Sequence, residues 1–272
     1  MIKTFLTEVG GNITEEALDS IILSYNLPAG IALKTIKAIV KSSTQSIISN
    51  CYDDITHRQL SSREAQKHNS VFEIAIRTFI DCAHNDNVES MFIISDDAQY
   101  EYAYEVAEHL SMEAIRQSEQ KKIDILGRFY GKQFYEGRMN WQDMHQVIAM
   151  TGELSYRQII LIKLICERFS GMDQESYISN PSACVEINRL IDYGIWRREG
   201  AAFSTDNSNH ILLKRVNPTE YAKQIYDVLM LNHIESEDIE RTIESLHIVR
   251  EGIKVEILTQ EEYKQHTEWT DL

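Results

Sequence analysis

Read as apolar and polar positions, most of the chain follows helical spacing. Thr14 is placed to cap a helix over 14–26, with Glu15 and Glu16 in its first turn where the helix dipole favours acids. Asn26 to Gly30 (NLPAG) breaks it, and residues 31–49 form an amphipathic segment with Lys34, Lys37 and Lys41 opposite Leu33, Ile36, Ile39 and Val40. The three lysines read as a solvated face. Ser61, three residues before Glu64, has the spacing of a capping box, and Phe72, Ile76, Phe79 and Ile80 then give an apolar face. The longest helical signal covers 96–135, where Ala98, Tyr102, Val106 and Leu110 recur every four residues and Ile123, Leu126, Tyr130 and Phe134 resume the stripe. This predicts one long helix or two abutting ones ended by Gly137, with Gly127 and Gly131 weakening the far end.

Asn140 caps a short helix to residue 150, and Ser155 with Gln158 forms a second capping-box pair. The helix that follows is apolar nearly all round (Ile159, Ile160, Leu161, Ile162, Leu164, Ile165, Phe169), so it should be buried, with Gly171 as its stop. After residue 171 the pattern changes. A short segment, DQESYI, leads to the helix SACVEINRLIDY, which stops at Gly194; GIWRRE and HILLKRV follow as strand-like runs around a turn-rich loop. Asn217, Pro218 and Glu220 (NPTE) read as a cap, a first-position proline and an N-terminal acid for a helix over 218–231. Ser236 is placed to cap one more helix, and GIKVEIL (252–258) has strand character.

Three prolines and eleven glycines among 272 residues supply few turns for an all-β fold, and 43% hydrophobic with 25% charged residues is a globular balance. The predicted class is mainly α. A helical bundle over 1–150 precedes an α+β module over 151–232 with a small β-hairpin, and an acidic tail with a helix and a strand completes 233–272. The net charge of −15 repels nucleic acid and anionic membranes at long range. It is uneven: residues 151–231 hold 10 acidic and 9 basic side chains, whereas 232–272 hold 11 acidic and 4 basic. Cys51, Cys82, Cys166 and Cys184 form no CxxC pair and read as buried reduced thiols. With no basic n-region leading an apolar run at the start and no apolar stretch of about 18 residues, the expectation is a cytoplasmic protein without a membrane partner.

Catalytic chemistry finds little purchase. Glu101, Glu105 and His109, with Glu108 beside them, share a helix side, but a di-iron bundle needs two Glu-x-x-His pairs and the chain has one, Glu244 with His247. The stripe therefore reads as the edge where core meets water. Asp81, His84 and Asp86 lack a second histidine at ligand spacing. The phosphate-binding, dinucleotide-binding, nucleophile-elbow and zincin motifs are missing, so the expectation is no enzyme, no cofactor and no metal.

The order of elements over 155–231, a buried helix, a short segment, a helix leading through Gly194 into a strand pair and a further helix, resembles the winged helix-turn-helix family. That resemblance implies a recognition helix for the major groove and a wing on the adjacent backbone. Transferred to this chain, the candidate nucleic-acid-binding residues are Arg189 on the helix and Arg197, Arg198, Lys214 and Arg215 on the wing. Glu186 and Asp192 beside Arg189 argue against reading and for packing or protein binding. A second resemblance, carried by EQKKIDILGRFYGKQF and GELSYRQIILIKLI within 115–165, is to bacterial helical proteins of the Abi-alpha type, linked to abortive phage infection. It implies a bacterial phage-defence or mobile-element setting. Together these features point to a non-catalytic adaptor that binds a protein or a second copy of itself, with a winged-helix DNA-binding regulator as the alternative.

Overall fold

The structure is a computed structural model that describes residues 60–85, 97–169, 176–198, 211–213 and 216–250. The helices expected over 14–26 and 31–49, Asp86, the Gly171 stop, the loop after Arg198, Lys214, Arg215 and the strand over 252–258 lie outside those residues. The described chain is mainly helical, with eight α-helices and two small antiparallel sheets, and it divides into two compact units between Glu153 and Leu154.

The first unit holds α1 (Ser62–Asn85), α2 (Asp97–Arg116), α3 (Gln120–Glu136) and α4 (Trp141–Glu153). The Ser61 capping box forms: the Ser61 N–H donates to Glu64 at 2.8 Å and the Glu64 N–H to Ser61 Oγ at 3.4 Å. Phe72, Ile76, Phe79 and Ile80 are buried as their spacing predicts, facing Ile123, Leu126, Tyr130 and Phe134 of α3. Phe72 meets Tyr130 edge to face with ring centroids 6.1 Å apart, and Phe79 meets Tyr135 at 5.7 Å.

Gly127 and Gly131 are what let α3 lie this close to α1. A Cβ on Gly127 would stand 2.7 Å from the Val71 carbonyl oxygen, and one on Gly131 would run into the backbone of Ala75. The two glycines trade helix propensity for backbone approach.

The long signal over 96–135 resolves into two helices, broken at 117–119, and Gly137 closes α3 with φ +60°, its N–H donating to Gln133 O at 2.8 Å. The four-residue stripe on α2 needs correction, because Tyr102 is 51% exposed while Ala103, Val106, Ala107, Leu110 and Ala114 are buried. Strict four-residue steps advance beyond a whole turn of about 3.6 residues, so such a stripe drifts off the core face.

The second unit starts with α5 (Tyr156–Leu164), continued by a π-helical turn (Ile165–Phe169). Its capping box is complete, Ser155 Oγ accepting from the Gln158 N–H and Gln158 Oε1 from the Ser155 N–H. Ile159 to Leu164, Ile165 and Phe169 are all buried, as the all-round apolar pattern predicts. Then come β1 (Ser176–Ile178), α6 (Pro181–Asp192), β2 (Trp196–Arg198), β3 (Ile211–Leu212), β4 (Val216–Pro218), α7 (Glu220–Val228), a 3-10 turn (Leu231–His233), α8 (Ser236–Leu246) and β5 (Ile248–Arg250).

The described parts of the run over 210–216 pair separately. Ile211–Leu212 pairs with β1, and Val216 begins β4, which pairs with β2 in the register Arg198↔Val216, Arg197↔Asn217, Trp196↔Pro218. Asn217 and Pro218 are therefore extended, and Thr219 takes the cap of α7, its Oγ1 accepting from the Ala222 N–H at 3.1 Å. α8 begins at Ser236 with Glu235 as its cap residue, one place before the expected cap. β5 pairs with β1, so 236–250 packs within this unit.

Candidate functional site

α6 is the helix on which the candidate residues converge, and its placement is set at both ends. Asn180 Oδ1 accepts from the N–H groups of Ser182 (2.9 Å) and Ala183 (3.3 Å), and Pro181 occupies the first turn. The Asn180 amide also donates to Ser245 O at 2.6 Å, tying the start of α6 to the end of α8. At the other end Gly194 takes φ +70°, and the Ile195 N–H reaches back to Leu190 O at 2.9 Å. Thr219 Oγ1 lies against the carbonyls of Gly194 (2.7 Å) and Ile195 (3.0 Å), joining this turn to α7. The inner face (Ala183, Cys184, Ile187, Leu190) is buried with Ile195 and Trp196.

The outward face follows the helical spacing Ser182, Val185, Arg189, Asp192, with Tyr193 just past the last turn. Val185 is 60% and Tyr193 41% exposed, two of the three large hydrophobic side chains that stand out from the surface among the described residues. Arg189 is exposed between them. Glu186, at the edge of this face, is held by Arg157 of α5 at 2.5 Å, and the same guanidinium donates to Ser182 Oγ at 2.9 Å.

Of the five candidate cations, Arg189 and Arg197 are exposed, and Arg198 is half-buried and turned back onto α6, donating to the Asn188 side-chain oxygen. Asn188 is the amide that a base-reading helix would have presented, so its engagement removes a reading group.

Other polar clusters escaped the sequence reading because their members come from different helices. His68 and Ser111 are both fully buried with Nδ1 and Oγ 2.6 Å apart; burial pulls the His68 imidazole down to about 4. The arrangement has the residue types of a nucleophile and base, but its complete burial makes it a packing contact. At the end of α4, the Lys122 ammonium donates to Gly152 O at 2.7 Å and the Gln117 amide donates to both Gly152 O and Glu113. These two side chains cap the carbonyl end of α4. His109, noted with its glutamates, faces His145 of α4 with Nδ1 atoms 2.8 Å apart.

On the π turn, Glu167 accepts from Lys163 at 2.7 Å and from the Tyr226 hydroxyl; burial foremost, then this bond to Glu167, pushes the Tyr226 phenol up. Burial and Glu167 push the neighbouring Cys166 thiol up to about 11, and burial raises Cys184, so both sites favour the thiol over the thiolate. Cys82, Cys166 and Cys184 form no disulfide.

Compared with known proteins, the chain matches no protein-family model, no curated protein and no solved structure. Among the described residues no helix is long and apolar enough to cross a membrane.

Proposed function

We propose that the second unit is a winged-helix-like docking module and that the outer face of α6 binds a protein partner, making the chain a non-catalytic adaptor. The element order from α5 to α7 supports the winged-helix reading. The observation that carries the binding reading is the pairing of exposed Val185 and Tyr193 around Arg189 on one face. Tyrosine and arginine beside an apolar contact are the residue types that dominate protein interfaces. DNA reading is less well served: among the described residues that face offers one cation, with Asp192 a turn away, and Asn188 is already bonded to Arg198. The bacterial phage-defence setting implied by residues 115–165 belongs to the same proposal.

The test is a paired variant, Val185→Asp with Tyr193→Ser, measured for assembly mass by ultracentrifugation and for stoichiometric capture of a partner from native lysate. Loss of an interfacial tyrosine anchor costs about 2 kcal/mol, roughly 30-fold in affinity. The wild type should self-associate or retain a partner, and the variant should lose it with an unchanged melting temperature. A wild type that stays monomeric and captures nothing, or a variant that captures equally well, overturns the proposal.

A further inference from the structure

His109 on α2 and His145 on α4 are 36 residues apart in sequence and in contact in the fold. Their ring planes are 24° apart, their centroids 5.0 Å apart and their Nδ1 atoms 2.8 Å apart. Since the nitrogens are much closer than the centroids, the rings meet edge to edge and not face over face. At that distance the two Nδ1 atoms cannot both carry a proton, nor both present a lone pair; one must donate N–H to the other. Among the described residues no third histidine, cysteine, aspartate or glutamate completes a metal site around them.

We propose that His109 and His145 form a proton-sharing latch that holds α4 on α2 while the pair carries at most one extra proton, and that opens when a second arrives. In the neutral pair, one ring donates from Nδ1, and the other accepts on Nδ1 with its own proton on Nε2. The first added proton goes to the free Nε2 of the donor ring; the bridge survives and becomes charge-assisted. The second can go only to the accepting Nδ1. It takes the lone pair that held the bridge and leaves two imidazolium N–H groups facing each other.

The charged surroundings act the same way. Burial, then the charge of His145, hold the His109 imidazole low; Glu113 one turn on favours its charged form and Arg116 opposes it. From α3, the Lys122 ammonium donates to Gly152 O at 2.7 Å and lies in the field of Glu119 and Glu113. From α1, Lys67 is bonded to Ile115 O and His68 to Ser111. The latch grips the second turn of α4, while Lys122 and Gln117 hold its far end at Gly152.

The experiment is an NMR titration of the histidine ring protons of the full chain, with signals assigned by comparing wild type, His109→Gln and His145→Gln. Glutamine preserves one hydrogen bond to the remaining ring, which guards the fold. In the wild type the pair should titrate in two steps more than about one pH unit apart. In His145→Gln the lower step should vanish, and His109, relieved of the neighbouring imidazolium, should titrate in one step above it. The wild type should also lose more melting temperature between pH 7.5 and 5 than either variant. A single shared step in the wild type, or a His109 midpoint unmoved in His145→Gln, overturns the proposal.

Discussion

His68 shows at the scale of one residue how burial converts into pH dependence. Its ring is fully buried, bonded to Ser111 and packed edge-on against Phe72 with centroids 5.0 Å apart. The folded state holds its pKa at about 4 against an ordinary 6.5. A histidine whose pKa is depressed on folding contributes stability above its unfolded pKa, and that stability is lost as pH falls from 6.5 toward 4. The loss amounts to about 3 kcal/mol when complete, at about 1.4 kcal/mol per pH unit. Urea unfolding of wild type and His68→Gln at pH 7.5 and 4.5 checks it: the variant starts less stable but loses about 2–3 kcal/mol less on acidification. Equal losses would show that another group governs the acid limb. None of this was legible in the sequence, because Ser111 lies 43 residues away and helical spacing says nothing about which helix a polar side chain meets.

At the scale of elements, local signals were read well where the partner was local. Both capping boxes formed, because Ser61 with Glu64 and Ser155 with Gln158 satisfy backbone groups within one turn. The Asn-Pro start signal was read at 217–218, where strand pairing with Arg197 and Trp196 overrides it, whereas Asn180 and Pro181 are the pair that starts a helix. The same dipeptide serves both conformations, and tertiary pairing chooses.

The glycines divide in the same manner. Gly131→Ala should cost about 3 kcal/mol, because the added methyl meets the Ala75 backbone and must force α1 and α3 apart. Gly194→Ala meets nothing within 4 Å and should cost about 1 kcal/mol, the conformational penalty of φ +70° alone. Denaturant midpoints of the two variants should differ accordingly; similar losses would remove the close-approach account of Gly131.

At the scale of the whole molecule, charge bears on the two proposed readings of the second unit and makes the DNA-binding one testable. The chain carries −15, with a near-neutral stretch over 151–231 set before an acidic end. A few cations on such a molecule attract phosphate within a Debye length of about 10 Å and are opposed beyond it. The prediction is that fluorescence anisotropy with a mixed-sequence DNA duplex shows no salt-dependent binding at micromolar protein. Binding that weakens steeply between 50 and 200 mM salt, and weakens again in Arg189→Ala and Arg197→Ala, would favour the DNA-binding alternative (those concentrations span roughly the range over which phosphate contacts are lost).

Read without coordinates, the chain already carried the helical class, the buried character of α5, the core faces of α1 and α3, and the caps at Ser61, at Asn140, whose Oδ1 accepts from the Asp143 N–H at 2.8 Å, and at Ser155. Each is a periodicity or a contact closed within a turn or two of chain. Packing over long range chose the separate partners of Ile211–Leu212 and Val216–Pro218, the use of Gly127 and Gly131 as a helix crossing, and the burial of His68. It also set Val185, Arg189 and Tyr193 on one open face and brought His109 to His145. Those depend on which distant surface an element meets, and that choice is made by the packing of the whole unit, where the energy of many buried contacts outweighs any local preference.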